Sequence, residues 1–348
     1  MQKNTQARAG VQKIPIAFSV DDNYVPYLSV TIKSILENSS ERNHYELIIL
    51  EENLSESNRK LLSSLTAERD NFSIRFLNVS SLMKTYGKNK LYTCFHFSLA
   101  TYYRLFLAEI LADYDKIIYL DSDLIIQKDL SELFNINLED HYLAAGHEWV
   151  CLSRHFRIYL KATLKLKKLI QNYFIAGHMV MNLKKIRNDN LIHEFMKPFR
   201  ENRKLRSPDQ DALNLACQGN VVFLPPEWNI CWHWKDFLSP RVLKKYNVYG
   251  PPGTHPALIH YASAKKPWNT PGDELADLWW FYANQLPFKE EIHKKALEDR
   301  CRFLQKNYDL VVNSIPWKMT KPLRELYDFL KYDVLEFLKQ FPGLRQRP

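Results

Sequence analysis

After a polar, basic opening, the chain carries an apolar run from Ile14 to Val20 that stops at Asp21-Asp22-Asn23. Apolar positions at helical spacing follow from Tyr27 to Leu36. A short unbroken apolar run suits a strand buried on both faces, and a 3.6-residue period suits a helix with one face inward. The pattern repeats: Tyr45 to Leu50 reads as a strand, Ser55 to Leu65 as a helix behind an N-terminal serine, and Ile74 to Val79 as a strand. Phe97 to Ala112 is helical in spacing. Lys116 to Leu120 reads as a buried strand that runs into Asp121-Ser122-Asp123, with Leu124 to Ile126 continuing beyond. Alternating strands and helices predict an α/β domain with a mostly parallel central sheet. Ligands of such sheets bind beyond the carboxyl ends of the strands, which singles out Asp21 to Asn23 and Asp121 to Asp123.

From about His141 the texture changes. A basic stretch (Arg154, Arg157, Lys161, Lys165, Lys167, Lys168) precedes a strand-like Tyr173 to Leu183, a Ser-Pro-Asp-Gln-Asp segment at 207–211 and a tryptophan-rich patch. The end, Arg300 to Pro348, holds ten Lys/Arg against five Asp/Glu. Leu323, Leu326, Leu330, Val334, Phe337 and Phe341 form one helical stripe there, so an amphipathic helix is expected. Such a stripe serves either to dock on its own domain or to lie on an anionic membrane surface, with lysines and aromatics at the headgroups. No internal repeat or low-complexity tract is present.

Composition narrows the classes. With 348 residues, 46% hydrophobic and 25% charged, the chain has material for one large α/β domain plus an appendage, and little scope for disorder. The net charge of +9 suits any polyanion without selecting one. The basic residues are scattered and no RRM, KH or zinc-finger pattern occurs, so no nucleic-acid partner is expected. Five cysteines (Cys94, Cys151, Cys217, Cys231, Cys301) include no C-x-x-C pair, which argues against a disulfide framework or zinc knuckle and for a reducing cytosol. No window is apolar for the length of a spanning helix, and the polar leader at 1–13 lacks a signal-peptide core. The Asn-x-Ser triplets at Asn38, Asn53, Asn71 and Asn78 then read as chance matches.

Asp121 and Asp123, one residue apart directly after a buried strand, form an oxygen-rich site suited to a hard divalent cation that bridges a diphosphate. An Asp-x-Asp turn is common, but a second apolar strand, Ala257-Leu258-Ile259, delivers His260, and Lys265-Lys266-Pro267-Trp268 follow. Imidazole beside carboxylates suits Mn²⁺ better than Mg²⁺.

The segments Phe18-Ser19-Val20-Asp21-Asp22-Asn23-Tyr24, Leu120-Asp121-Ser122-Asp123 and His260-Tyr261-Ala262-Ser263-Ala264-Lys265-Lys266-Pro267-Trp268, in that order, carry a family likeness. The chain resembles the retaining glycosyltransferases of family 8, and within them the bacterial lipopolysaccharide galactosyl- and glucosyltransferases, from about Ile14 to Trp268. The resemblance implies a GT-A fold: a nucleotide-sugar-binding half at 14–140, an acceptor-binding half at 141–299, and here the basic amphipathic helical tail at 300–348. It implies a retaining transfer of galactose or glucose from a UDP-hexose to a saccharide or glycolipid acceptor such as lipopolysaccharide. The cofactor would be Mn²⁺, with Mg²⁺ as the substitute, held by Asp121, Asp123 and His260. Asp21 and Asn23 would contact uracil and ribose, Arg104 would help hold the donor, and Lys266 would meet the diphosphate. Ser122, Ala176 and Gly177 would line the substrate, while Asp209 and Gln210 stand beside the sugar and the reaction centre. The implied setting is cytoplasmic, with peripheral contact at the cytoplasmic face of the inner membrane through 300–348.

Three positions depart from the family pattern. Ile175 replaces the asparagine of Asn-Ala-Gly, Glu148 stands where many relatives carry aspartate, and Ser263 replaces a glycine near the diphosphate. Trp228, Trp232, His233 and Trp234 read either as buried aromatics or as stacking surfaces for acceptor sugars. The alternatives are a catalytically impaired sugar-nucleotide-binding homologue, raised by Ile175, and a nucleotidyltransferase. The latter would normally carry a glycine-rich phosphate loop, whereas the nine glycines here are unclustered.

Overall fold

A computed structural model of the chain describes residues 11–86, 91–92, 98–166, 172–270, 272 and 274–328. Among the described residues ten strands run in chain order as β1 (Lys13–Ser19), β2 (His44–Glu51), β3 (Phe72–Asn78), β4 (Lys116–Leu120), β5 (Leu124–Ile126), β6 (Leu143–His147), β7 (Phe174–Asn182), β8 (Val221–Phe223), β9 (Ile230–Cys231) and β10 (Leu258–His260). Seven form one sheet in the order β3-β2-β1-β4-β7-β6-β8. The pairs β1/β2, β2/β3, β1/β4 and β6/β8 are parallel, while β7 runs antiparallel to both β4 and β6. The expected mostly parallel α/β architecture is therefore present. The sheet runs across the division placed at residue 140, since β6, β7 and β8 extend the layer begun by β1 to β4.

Alternation along each strand sends neighbouring side chains to opposite faces, and both faces are covered. Ile14, Ile16, Phe18, Leu47, Ile49, Ile118 and Leu120 pack with Val25, Leu28, Ile32 and Ile35 of α1 (Val25–Asn38). Ala17, Ile48, Leu50, Ile117, Tyr119, Met179 and Met181 pack on the other side with Tyr102, Phe106, Ile186, Phe195 and Leu213. This double covering explains why the strands read as continuous apolar runs; each fully buried aliphatic side chain contributes roughly 1.5–3 kcal/mol. The segment expected as a helix from Phe97 to Ala112 is a tight 3₁₀ turn over Leu99–Phe106 that passes into a short α-helix at Leu107–Ile110, and Phe97 itself lies outside the described residues.

A second, three-stranded sheet has the order β5-β10-β9. Its β10 runs antiparallel to β5, so that His260 lies opposite Leu124, the residue after Asp123. The turn between β4 and β5 is held from α1, where the Thr31 hydroxyl meets the Ser122 carbonyl (3.0 Å) and the Leu124 carbonyl (2.8 Å) and accepts from the Leu124 N–H (3.1 Å).

The chain divides into two compact units, residues 1–293 and 294–348. The second unit contains the remainder of a long helix, Lys289–Val312, then the helices Ile315–Met319 and Lys321–Asp328. Its apolar side chains are open to solvent, among them Tyr308, Ile315, Met319 and Leu323. Of the expected stripe, Leu330, Val334, Phe337 and Phe341 lie outside the described residues, as does the side chain of Leu326. No described helix is long and apolar enough to cross a membrane.

Thr31→Val leaves the buried Leu124 N–H and the Ser122 carbonyl without their partner. The expected cost is about 1–3 kcal/mol, read as a lower midpoint in equilibrium urea denaturation. An unchanged midpoint would show that the hydroxyl does not secure the turn.

Candidate active site

Asp121 and Asp123 lie in the bend between β4 and β5, and they reach different neighbours. The Asp121 carboxylate accepts from Arg104 Nη2 (2.7 Å) and from the Tyr119 hydroxyl (3.0 Å), while its own N–H donates to the Gly177 carbonyl (2.7 Å). Asp123 accepts from Lys266 Nζ at 2.5 Å across 143 positions of sequence. His260 Nε2 lies 3.3 Å from Asp123 Oδ1 and 3.8 Å from Asp121 Oδ2. One ligand atom from each of Asp121, Asp123 and His260 falls within 4.8 Å of the others.

Three observations fit a divalent cation at this triad. Among the described residues Asp123 Oδ1 is buried and accepts no geometrically formed hydrogen bond, with His260 Nε2 3.3 Å away, so its lone pairs have capacity left for a cation. Gly177 keeps that space open: a Cβ there would lie 2.2 Å from His260 Cε1 and 2.7 Å from Asp121 Oδ2. Loss of water raises the Asp121 pKa, helped by Asp123 and Asp209 nearby, and Arg104 and His260 only partly offset this. A carboxylate in that position gains from further positive charge. Burial acts in the same direction on Asp123, but the Lys266 ammonium and His260 outweigh it and hold that carboxyl well below its ordinary range. The mixed oxygen and imidazole set suits a divalent cation.

Arg104 is almost fully buried and spends its donors inside the protein. Nη1 donates to the Ala176 carbonyl (2.7 Å), Nε faces Asp209 Oδ2 (3.2 Å) and the Thr101 carbonyl (3.0 Å), and the guanidinium lies over the Tyr119 ring. It thus ties Asp121 to Asp209. The Gln210 Oε1 accepts from the Ala176 N–H (3.0 Å), so the Ala176 peptide is clamped from both sides. Asp209 and Gln210 sit in the first turn of the helix Pro208–Ala216. That turn is fixed by buried Asp211, which accepts from the hydroxyls of Tyr159 (2.5 Å) and Tyr173 (2.6 Å) and from the N–H groups of Arg206 and Ser207. Lys266 is also held by the Tyr261 carbonyl (2.8 Å), and the adjoining Trp268 stacks on Tyr27 of α1 at 3.8 Å. Asp21 Oδ1 accepts from the N–H groups of Asn23 (3.0 Å) and Tyr24 (3.3 Å), which shapes the loop after β1 and leaves the Asn23 side chain exposed. Ser122 is buried, its hydroxyl directed to the Ser19 carbonyl at 3.4 Å.

Comparison with known proteins identifies the family of the chain. A family model described as Glycosyl transferase family 8 matches residues 15–272. The chain belongs to glycosyltransferase family 8. It is 30% identical over 261 residues, 74% of each chain, to a Haemophilus influenzae protein assigned to the glycosyltransferases. It is 27% identical over 334 residues to a lipopolysaccharide 1,2-glucosyltransferase of Escherichia coli K12, covering 94% of this chain and 84% of that one. Among solved structures, the bifunctional glycosyltransferase WbbM in its apo form superposes with a TM-score of 0.69 at 28% identity, over 83% of this chain and 52% of that one. The galactosyltransferase LgtC, solved with donor and acceptor sugar analogues, superposes at 0.61 and 24% identity over 79% of this chain and 96% of that one, a likeness of fold. The neighbouring folds confirm the GT-A class.

The positions that depart from the family 8 pattern now have surroundings. Ile175 is buried in an apolar cluster with Cys231, Trp234, Leu238 and Val248. Glu148 is buried beside it, accepting from Trp234 Nε1 (3.1 Å) and the Val150 N–H (3.0 Å), and burial raises its pKa. Ser263 adopts φ 127°, a backbone region that suits the glycine it replaces. Trp228, Trp232, His233 and Trp234 are all buried, so they present no open ring face to a sugar.

Sequence reading passed over several residues that complete the site. Tyr119 lies two positions before Asp121 on the same strand face, a relation that the period of two would have exposed. His178 follows Gly177 on β7, fully buried, with its ring 5.6 Å from that of His260 and perpendicular to it; burial pushes its pKa down to about 3. A polar residue inside an apolar strand was its only local signal. Asn229, which bonds His178, had none.

Gly177→Ala would drive a methyl group into the triad. The expected result is a folded protein whose Mn²⁺ dissociation constant, followed by the EPR signal of free Mn²⁺, rises about tenfold or more. Unchanged affinity would show that the missing Cβ is not what keeps the triad open.

Proposed function

We propose that this chain is a retaining hexosyltransferase that moves galactose or glucose from a UDP-sugar to a saccharide carried on lipopolysaccharide or another glycolipid. The observation that carries this reading is the meeting of half-buried Asp121 with buried Asp123 and His260, flanked by Arg104 and Lys266, at the carboxyl end of β4. The kinship with an E. coli lipopolysaccharide 1,2-glucosyltransferase supports the acceptor class. A divalent cation held by the triad, Mn²⁺ or Mg²⁺, would neutralise charge on the diphosphate as it leaves.

The chain's own residues take the remaining tasks. Asp21 and Asn23 meet uracil and ribose, and Lys266, already cationic and fixed, faces the diphosphate. Arg104 is a positioning residue that holds Asp121 and Asp209 in register. Ser122, Ala176 and Gly177 form the wall against which the sugar rests. Gln210 stands at the reaction centre with its amide oxygen anchored by Ala176, and an amide is a poor nucleophile. Asp209 is tied to Arg104, which lowers its own nucleophilic power. These ties support attack from the leaving-group side: the sugar C1–O bond breaks with its electron pair going to the UDP β-phosphate. The acceptor hydroxyl bonds C1 on the same face, and its proton passes to the departing phosphate oxygen. Trapping a glycosyl-enzyme on Asp209 would replace this route with double displacement.

We further infer peripheral contact with an anionic membrane surface through 300–348, from a cytoplasmic position. The exposed Leu304, Tyr308, Ile315, Trp317, Met319 and Leu323, set among Lys306, Lys318, Lys321 and Arg324, support it.

Two measurements follow. UDP release from a panel of UDP-sugars, run with Mn²⁺ or with EDTA, is expected to show metal-dependent hydrolysis of one UDP-hexose. Asp123→Ala should lose at least about a hundredfold, roughly the 2.7 kcal/mol carried by one electrostatic element of such a site; no UDP binding under any condition overturns the reading. Co-sedimentation with vesicles is expected for mixed phosphatidylglycerol–phosphatidylcholine and not for phosphatidylcholine alone, and to weaken for Ile315→Asp. Equal recovery with both vesicle types removes the membrane contact.

A further inference from the structure

Among the described residues, two buried imidazole nitrogens at the triad have no hydrogen-bond partner, and their chemistry is complementary. Asn229 is nearly fully buried, and its Nδ2 donates to the His147 carbonyl at 3.1 Å. That contact orients the amide, so Oδ1 is the atom that meets His178 Nε2 at 3.0 Å. An amide oxygen only accepts, so His178 must carry its proton on Nε2 and present a bare lone pair at Nδ1. His178 is fully buried, and its Nδ1 has no hydrogen-bond partner.

His260 has the opposite requirement. Its Nε2 faces Asp121 and Asp123, so a cation seated there takes that nitrogen and leaves the proton on Nδ1. A metal-bound imidazole almost always donates its outer N–H to an acceptor that fixes the ring. His260 Nδ1 is buried and lacks one. The two rings stand 5.6 Å apart, centre to centre, at 88°. Gly146 belongs to the same arrangement: a Cβ at that position would lie 2.0 Å from Asn229 Cγ and Oδ1, so glycine is what admits the amide.

We propose that His178 is a positioning residue whose Nδ1 lone pair accepts the outer N–H of His260, directly or across one water, and so orients the imidazole that binds the cation. Gly146, Asn229 and His178 then form one relay of shape and hydrogen bonding that ends on the metal ligand. The relay fixes which nitrogen of His178 is bare, and through it which nitrogen of His260 is free for the metal. His178 touches neither the cation nor the sugar. The inference rests on the reading of Asp121, Asp123 and His260 as a metal site.

The test uses the full chain and Mn²⁺ alone as probe. EPR titration gives the dissociation constant for wild type, Asp123→Ala and His178→Phe, which keeps the ring and removes both nitrogens. The constant is expected to rise about 10–100-fold in His178→Phe, with circular dichroism unchanged and a weaker ¹⁴N coupling from His260 in the Mn²⁺ electron spin echo. A wild type that binds no Mn²⁺ overturns the metal site and this inference with it. Binding lost in Asp123→Ala but within twofold of wild type in His178→Phe overturns this inference alone. If His178→Phe fails to fold, long-range ¹H–¹⁵N spectra of the ¹⁵N-histidine-labelled wild type decide: a proton on His178 Nε2 supports the relay, and a proton on Nδ1 overturns it.

Discussion

Asp123 and Asp209 are buried and Asp121 lies half-buried between them, and the cost of placing three carboxylates together where water is scarce sets the terms for everything around them. The protein meets that cost incompletely. Arg104 bridges Asp121 and Asp209, Lys266 closes on Asp123, and His260 stands between the two metal-site carboxylates. Among the described residues, two cations against three carboxylates leave the cluster short of positive charge.

The backbone serves this electrostatic arrangement. Thr31 holds the turn that separates the two aspartates, the Gly177 carbonyl accepts from the Asp121 N–H, and the absent side chain of Gly177 leaves room for His260. The antiparallel pairing of β10 with β5 brings His260 level with Leu124, and the Tyr261 N–H then bonds the Asp123 carbonyl. Lys266 and Trp268 follow in the same segment, the first bound to Asp123 and the second stacked on Tyr27. The helix that carries Asp209 and Gln210 is secured separately by Asp211 and two tyrosine hydroxyls.

Beside this shared machinery lies a part that belongs to this chain. Where the family pattern has an asparagine, Ile175 joins an apolar cluster with Trp234 and Leu238, and Trp234 in turn fixes the longer carboxylate of Glu148. The surroundings of Glu148 are thereby apolar, and its carboxylate keeps the charge of the aspartate with one methylene more of reach.

The sequence by itself determined the local elements. Apolar runs marked the strands, Ser55 marked the start of a helix that it does cap, and polar residues at strand ends marked Asp21 to Asn23 and Asp121 to Asp123. These features depend on neighbours a few positions away, and periodicity or turn chemistry reports them directly. Order of motifs along the chain was enough to recognise the family. Tertiary structure alone decided which charges are neutralised and by what: that Arg104 points inward to Asp121 and Asp209, that Lys266 reaches Asp123, that the tryptophans at 228, 232 and 234 are buried, and that His178 and Asn229 stand behind His260. Those relations come from strand pairing and burial between distant segments. No local pattern encodes them, because the free energy that fixes them is gained only when the whole sheet closes and water leaves.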